Sequence, residues 1–330
     1  MSLLISFGVF GVILKVNEIN IISIISKIKI QYIFASFLLF LCGYLVDSIR
    51  LLIVSKNFEG HINFIDALNN NISGYFFSAV TPFAAGGQPY QIYHLKKMGF
   101  STGNATNIVV SRFIVIMITN LIVSFASYKH IVKALSNSSF SISLIKAGLF
   151  ASIIITLLII FVFFNSNFIA DIILFFEKKN IIKNNKLSSK FYTWSYGLKN
   201  SIKFLWSEKF HIMLIDIFLG LITIVFQALA LYYMIHILLI RDHHNSNFFL
   251  EIFGGMTLLN MVIFYIPTPG GSGSIETTYT LLFGEMLGYG NKILASIFAW
   301  RFATYYLQIF FAGIFMFFYK TFYRKDIFFS

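Results

Sequence analysis

Residues 267–276 read PTPGGSGSIE, and residues 81–89 read TPFAAGGQP. These two segments hold all four prolines of a 330-residue chain that is otherwise rich in long apolar runs. Proline and closely spaced glycines interrupt a helix, because proline lacks an amide N–H and glycine loses much backbone entropy on folding. Within a membrane, non-helical backbone is tolerated only where protein or a wet cavity satisfies its polar groups. The two segments therefore predict two broken helical hairpins at a buried site.

The composition around these segments is that of an integral membrane protein. Hydrophobic residues make up 58% of the chain, charged residues make up 12%, and the mean hydropathy is +0.79. A soluble domain could not bury that much apolar surface. The formal net charge of +12 raises the alternative of a nucleic-acid-binding protein. However, the lysines lie between apolar runs, as expected for a membrane protein that follows the positive-inside rule. We therefore expect no nucleic-acid partner.

Apolar runs of bilayer length occur at residues 32–55, 104–127, 141–165, 211–240 and 292–320. Two further apolar stretches, 62–80 and 247–266, lead into the breaks, and short helices are predicted after them at 88–98 and 274–287. Residues 1–14 predict an additional short membrane helix. We therefore predict one all-α membrane domain over residues 1–330, with about six to eight membrane helices and two re-entrant or broken hairpins.

The order of these features repeats in two halves of the chain, residues 32–165 and 211–320. Each half has a helix with one aspartate (Asp47 or Asp216), a hairpin with a Gly-Gly pair at its bend, and a helix with an arginine (Arg112 or Arg301). Such repeats with broken helices are a recurrent transporter design when the two halves have opposite orientations. We therefore predict an inverted repeat.

The segment between the halves, residues 166–210, is rich in lysine and has apolar residues at helical spacing. This pattern predicts amphipathic helices on the cytoplasmic surface of the cell membrane. The C-terminal tail, which carries Lys320, Arg324 and Lys325, is predicted to be cytoplasmic for the same reason. With both segments inside, the two broken hairpins enter from opposite sides and point at each other.

Two arginines are predicted to lie within the bilayer. Arg112 and Arg301 lie roughly 12–14 Å from the ends of their helices, at 1.5 Å per residue. An arginine at the centre of a membrane helix costs about 2.5 kcal/mol or more, so it normally faces a partner or a water-filled cavity. One alternative is a structural ion pair, with Glu276 or Asp216 as the partner. The other is a phosphate site, for which the guanidinium fork is well suited.

The glycine-rich bends could contribute to the same phosphate site. A bend followed by a helix start presents backbone N–H groups and the positive end of the helix dipole. The alternative role is a kink or close helix packing. The candidate residues are Gly86, Gly87, Gln88, Gly270, Gly271, Ser272 and Gly273, and the candidate hinges are Pro82, Pro89, Pro267 and Pro269.

Acidic residues near the arginines have several open roles. Glu276 could cap its own helix, pair with an arginine, contact a cationic headgroup or carry a proton. Asp47 and Arg50 could form an ion pair near the cytoplasmic surface. Together with Asp216, they are candidates for a gating contact or an ion pair.

No metal site, cofactor or catalytic residue is expected. Cys42 is the sole cysteine, which excludes an intrachain disulfide and a thiolate cluster. The sequence Asp242-His243-His244 has no further metal ligands beside it. Gly271-x-Gly273 follows an apolar membrane segment and lacks the βαβ context of a dinucleotide loop.

The two motifs together resemble a known family. Pro82-Phe83-x-x-Gly86-Gly87-x-Pro89 is followed by Arg112, and Pro267-x-Pro269-Gly270-Gly271-x-Gly273-x-x-Glu276 is followed by Arg301. This pattern resembles the flippase-like membrane domain of the lysylphosphatidylglycerol synthase/flippases, the multiple peptide resistance factor family. The resemblance implies movement of a phospholipid or a polyprenyl-linked lipid between leaflets. It does not imply aminoacyl transfer, because the family's synthase is a separate soluble domain, so we expect a transporter and not an enzyme.

Two other functions are left open by the residues. Inverted repeats also serve proton- or ion-coupled transport of small solutes, with Glu276 as the proton carrier. A membrane-embedded lipid headgroup transferase would need a nucleophile and base, which the sequence does not offer convincingly. Candidate partners are the membrane lipid itself, a second copy of the chain, or a separate lipid-modifying enzyme.

Overall fold

The computed structural model describes residues 28–135, 139–165, 168, 171–172, 175, 185–239, 248–263, 268–288 and 290–323. Within these residues the chain forms ten helices and no strands. The helices are α1 (Ile30–Ser55), α2 (Phe64–Val80), α3 (Gly87–Lys97), α4 (Thr102–Ala134), α5 (Ser139–Phe164), α6 (Asn185–Lys203), α7 (Phe210–Leu239), α8 (Phe248–Ile263), α9 (Ser274–Leu287) and α10 (Gly290–Tyr323).

Five helical segments of the described chain are long and apolar enough to cross a membrane. They are α1, α4, α7, α10 and the Ile145–Phe164 part of α5. All five predicted spans are therefore found, although α4 continues past residue 127 to Ala134. The prediction of an all-α, multi-pass membrane protein is confirmed. The short helix predicted at residues 1–14, the Asp242-His243-His244 sequence, Pro267, Arg324 and Lys325 lie outside the described residues.

Both predicted hairpins are present, and each consists of two antiparallel helices. In the first hairpin, the Asn70 side chain on α2 donates to the Gln91 carbonyl on α3 at 3.0 Å. In the second, the Tyr279 hydroxyl on α9 donates to the Asn260 side chain on α8 at 2.7 Å. Helix α2 ends before Pro82, because the residue that precedes a proline is disfavoured in the helical region. Accordingly, Thr81 has extended backbone angles of φ −111° and ψ 146°.

The two turns share a pair of left-handed residues, but the Gly-Gly pairs are not equivalent. Phe83 and Ala84 have φ of 56° and 52°, and Gly270 and Gly271 have φ of 58° and 65°. The repeated feature is therefore a proline followed by two left-handed residues, at Pro82 in the first turn and at Pro269 in the second. The left-handed region suits glycine and is strained for phenylalanine and alanine.

The prediction that Gly86 and Gly87 form the first bend holds for Gly86, which lies in the turn before α3, and is wrong for Gly87. Gly86 has helical angles of φ −80° and ψ −19°, and α3 begins at Gly87. Gly87 instead allows α3 to pack closely on α2. A Cβ at this position would lie 2.7 Å from the Gly74 carbonyl and would also overlap the Ser78 hydroxyl. Close helix packing, which was the alternative role, is therefore its role in this structure.

The two hairpins meet at their turns within a frame of long helices. The turns contact each other, α1 packs along α7, and α4 packs along α8. Helix α6, from the predicted amphipathic segment, lies along α4, where Asn107 donates to the Ser201 hydroxyl at 2.8 Å. A π-helical stretch in α10, Phe302–Tyr306, follows Arg301 directly. Such stretches are rare and frequently mark functional sites.

Candidate functional site

A cavity of about 370 Å³ lies where the two turns meet α1, α4, α7 and α10. Both halves of the chain line it: Ala84 and Gly87 come from the first hairpin, and Gly270 and Gly271 come from the second. Arg112 on α4 and Arg301 on α10 both reach its wall. The cavity therefore brings together the two proline-glycine segments and the two arginines that the sequence singled out.

A chain of four buried charges lies at the α1 side of this cavity. Arg112 and Arg50 each place a guanidinium nitrogen 2.8 Å from the same oxygen of Asp47. Arg50 also forms two hydrogen bonds with Asp216, of 3.0 and 2.9 Å, in the strong bidentate geometry. All four side chains are at most 7% exposed. The four charges sum to zero.

This arrangement settles which of the predicted pairs form. Asp216, which was considered as a partner of Arg112 or Arg301, pairs instead with Arg50. The Asp47–Arg50 pair is present, but it is buried between helices and not exposed at a surface. Gly220 on α7 lies beside the pair, and a Cβ there would be in van der Waals contact with the Arg50 guanidinium, at 3.4 Å.

The second arginine has its own carboxylate. Arg301 Nε lies 2.9 Å from Glu276 Oε1, and Arg301 Nη2 donates to the Gly270 carbonyl at 3.0 Å. The other carboxylate oxygen of Glu276 accepts the Gly273 N–H at 2.8 Å, at the start of α9. Glu276 thus performs both of its predicted structural roles, as a helix cap and as an ion-pair partner.

Tyr305 joins the second half to the first hairpin. Its ring lies under the Arg301 guanidinium at 4.2 Å, within cation–π range. Its hydroxyl donates to the Ala79 carbonyl at the end of α2, at 3.1 Å. Gly270 is packed against the same ring, so that any Cβ at Gly270 would overlap it. Tyr305 therefore contacts both turn regions and one arginine.

Three of the glycine amides in the two bends are bonded within the protein in this structure. The Gly86 N–H donates to the Thr81 hydroxyl at 2.9 Å, and the Gly271 N–H donates to the Thr268 carbonyl at 3.1 Å. The Gly273 N–H is bonded to Glu276. Gln88 lies on the cavity wall, whereas Gly86, Ser272, Gly273, Pro82 and Pro89 are not part of it.

Six buried polar atoms on the cavity wall have no hydrogen-bond partner in the described structure. They are Tyr44 Oη, Arg112 Nε, Asn120 Oδ1, Thr268 Oγ1, Trp300 Nε1 and Gln308 Nε2. A buried polar atom without a partner costs about 1–3 kcal/mol, and native proteins have few of them. Six of the nine such atoms in the described structure therefore belong to residues of this one cavity wall. Most of the six can donate, which suits an oxygen-rich ligand.

Comparison with known proteins places this architecture in a family. The family model for the transmembrane region of lysylphosphatidylglycerol synthase matches residues 1–312. The chain belongs to this family. It is also 24% identical, over 326 residues, to a UPF0104 membrane protein from Archaeoglobus fulgidus. That similarity covers 95% of this chain and 94% of the relative. No solved structure matches the chain.

In this member of the lysylphosphatidylglycerol synthase transmembrane family, several wall residues were missed by sequence reasoning. Tyr44, Asn120, Trp300 and Gln308 look like ordinary polar or aromatic residues of membrane helices. Helical spacing could have found two of them, because Asn120 lies eight residues after Arg112, and Gln308 seven after Arg301. Residues at these spacings share a helix face with the arginine.

Proposed function

We propose that this protein is a lipid translocase that moves a phospholipid or a polyprenyl-linked lipid between the two leaflets. The observation that carries the proposal is the cavity at the contact of the two hairpins. Its wall is mostly apolar but includes three buried arginines and six residues that each have an unpartnered polar atom. A lipid headgroup has the phosphate and oxygen atoms that such a wall could bind.

The size of the cavity supports a headgroup as the occupant. Ligand pockets commonly have about 300–1,000 Å³, so a volume of about 370 Å³ suits a small polar group. Acyl chains would remain outside, in the lipid. The cavity wall includes Phe113, Ile116 and Met117 of α4, which offer apolar contact to the glycerol and the first chain carbons.

The ion pairs determine how a lipid phosphate would bind the arginines. In this structure each arginine is bonded to a carboxylate, so a phosphate either binds a free guanidinium N–H or replaces a carboxylate oxygen. Arg112 has a free donor for a new partner, because its Nε has no partner and its contacts with Asn71 are long, at 3.5 Å, although its Nη2 lies 2.8 Å from both the side chain and the carbonyl of Asp47. In Arg301 the corresponding Nε is already bonded to Glu276, and the guanidinium also contacts Gly270 and Tyr305.

Movement between leaflets requires that the cavity open to each side in turn. In the proposed mechanism, the contact between the two turns is broken on one side while the other side closes, as in other repeat-based transporters. The Tyr305–Ala79 hydrogen bond is one of the contacts that would break. The sequence has no Walker A motif, so the energy would come from a gradient, a partner or a lipid imbalance.

The remaining parts of the proposal concern activity, place and partners. We expect transport without chemical conversion of the lipid, because the acids and arginines of the site are committed to ion pairs. The protein would lie in the cell membrane with its C-terminus in the cytoplasm. A second copy or a lipid-modifying enzyme would be a compatible partner.

Leaflet exchange in liposomes tests this function. Purified protein is reconstituted with trace fluorescent lipids, and a membrane-impermeant quencher reports the fraction in the outer leaflet over time. We expect faster exchange than in protein-free liposomes and an unchanged rate for Gly313→Ala, since a Cβ at Gly313 contacts nothing within 4 Å. Exchange no faster than in protein-free liposomes, for every lipid tried, would contradict the proposal.

A further inference from the structure

The charges around the cavity are balanced. Three arginines, Arg50, Arg112 and Arg301, are each bonded to a carboxylate of Asp47, Asp216 or Glu276. All six side chains are at most 7% exposed. These six buried charges therefore sum to zero, although Asp47 is the carboxylate among them that lines the cavity beside the three arginines, with Asp216 and Glu276 outside the wall. A ligand with a net charge would leave that charge uncompensated in a buried place, which is strongly unfavourable.

This balance constrains the headgroup that the site can accept. If a phosphate takes the place of Asp47 on Arg112, Asp47 loses one of its two cationic partners. An anionic headgroup has no positive charge that could replace the lost partner of Asp47. A headgroup that also carries an ammonium group restores it, because the ammonium can take the position next to Asp47. The phosphate would then pair with Arg112, and the ammonium group would pair with Asp47. Each of these charges would therefore have a partner of opposite sign.

The wall next to Asp47 has the side chains that bind an ammonium group. Phe40, Tyr44 and Tyr75 line the cavity together with Asp47. The Tyr44 and Tyr75 rings are stacked with centroids 4.6 Å apart, and the Tyr75 hydroxyl lies 3.4 Å from Asp47 Oδ2. The Tyr44 hydroxyl is buried and has no partner. Aromatic rings beside a carboxylate are a common recognition site for ammonium and quaternary ammonium groups.

We propose that the ligand is a zwitterionic phospholipid, whose phosphate binds Arg112 and whose ammonium group binds Asp47 and the aromatic side chains Tyr44 and Tyr75. This inference rests on the proposed function, since it names the lipid class of the same cavity. The neutral charge balance and the aromatic wall are independent observations, and both favour the same headgroup.

Binding of short-chain lipids tests the inference without requiring transport. The purified protein is titrated with dihexanoyl lipids that carry ethanolamine, choline or glycerol headgroups, and binding is measured by calorimetry. Quenching of tryptophan fluorescence gives a second readout, because Trp300 lies on the cavity wall. We expect the two zwitterionic lipids to bind at least about tenfold more tightly than the anionic glycerol lipid. Equal binding, or tighter binding of the glycerol lipid, would overturn the inference.

Variants at Asp47 and Tyr75 test which groups recognise the headgroup. In Asp47→Asn the site gains a net positive charge, so the preference should shift by about tenfold or more towards the anionic lipid. Tyr75→Leu should weaken choline lipid binding about threefold to tenfold more than it weakens glycerol lipid binding, whereas Tyr75→Phe keeps the ring and most of the affinity. Loss of binding for all lipids to the same extent in both variants would overturn the specific role of this wall.

Fluorescent long-chain lipids with the same headgroups, in the liposome assay, distinguish the two proposals. Zwitterionic preference in binding without any leaflet exchange would refute translocation and support the inference on the headgroup. Exchange of anionic lipids as fast as zwitterionic ones would support translocation and refute the inference.

Discussion

Replacement of Glu276 by glutamine tests the energetic role of the second ion pair. The Glu276–Arg301 pair joins α9 to α10 at 2.9 Å, and both side chains are at most 7% exposed. The amide of glutamine is neutral, so the Arg301 guanidinium would remain buried without a charged partner. Removal of one member of a buried pair typically costs 3–5 kcal/mol, on the order of a quarter or more of the stability of a protein.

The structure allows the other contributions to be estimated. Glutamine keeps an oxygen that can accept the Gly273 N–H, so the loss of the carboxylate at the start of α9 adds only about 0.3–1 kcal/mol. The Arg301 bond to the Gly270 carbonyl and its contact with Tyr305 are unchanged in geometry. We therefore expect Glu276→Gln to lower the free energy of unfolding by about 3–5 kcal/mol.

The assay is an unfolding titration of the purified protein in mild detergent mixed with increasing SDS, followed by tryptophan fluorescence. A double-mutant cycle with Arg301→Gln isolates the pair. The loss of unfolding free energy in the double variant should be smaller than the sum of the two single losses by roughly 1–3 kcal/mol. Glu285→Gln, at an exposed carboxylate on the same helix, is the matched control and should change stability by less than about 1 kcal/mol. Additive single effects, or a loss below about 1 kcal/mol for Glu276→Gln, would refute the reasoning.

Three further predictions concern the cavity and the turns. Arg112→Gln removes the proposed phosphate contact, so we expect leaflet exchange to fall at least about tenfold. A rate near that of the wild type would contradict the assignment of Arg112 to the phosphate. Tyr305→Phe removes the hydrogen bond to the Ala79 carbonyl but keeps the ring, so the free energy of unfolding should fall by about 0.5–1.5 kcal/mol. An unfolding transition in SDS that matches the wild type would contradict a stabilising role for this hydrogen bond. Gly87→Ala should destabilise the first hairpin by about 1–3 kcal/mol, whereas Gly313→Ala should not, and thermal unfolding compares the two.

The secondary structure was largely predictable because hydrophobicity and proline act locally. Each apolar run of bilayer length became a helix, and Pro82 and Pro269 mark the two turns. The conformation of the turns was less predictable. Two glycines suggest left-handed backbone, which is correct at Gly270 and Gly271. In the first turn that conformation falls on Phe83 and Ala84, where the contacts of the assembled hairpins must offset the strain.

The composition of the site was only partly predictable from the sequence. The depth of Arg112 and Arg301 in their helices follows from counting residues, and Glu276 lies close enough in sequence to be a plausible partner of Arg301. The chain from Arg112 through Asp47 and Arg50 to a residue of α7 joins three helices. Arg50 and Asp216 are 166 residues apart in sequence, so only tertiary packing determines which charges meet.

The most direct test of the central claim is the leaflet exchange rate of a variant whose cavity is filled. Met117→Trp places a large ring on a position that lines the cavity, and Ile122→Trp places the same ring on an exposed position of the same helix. We predict that lipid exchange falls at least about tenfold in Met117→Trp and stays at the wild-type rate in Ile122→Trp. Exchange by a folded Met117→Trp protein at the wild-type rate would contradict passage of the headgroup through this cavity.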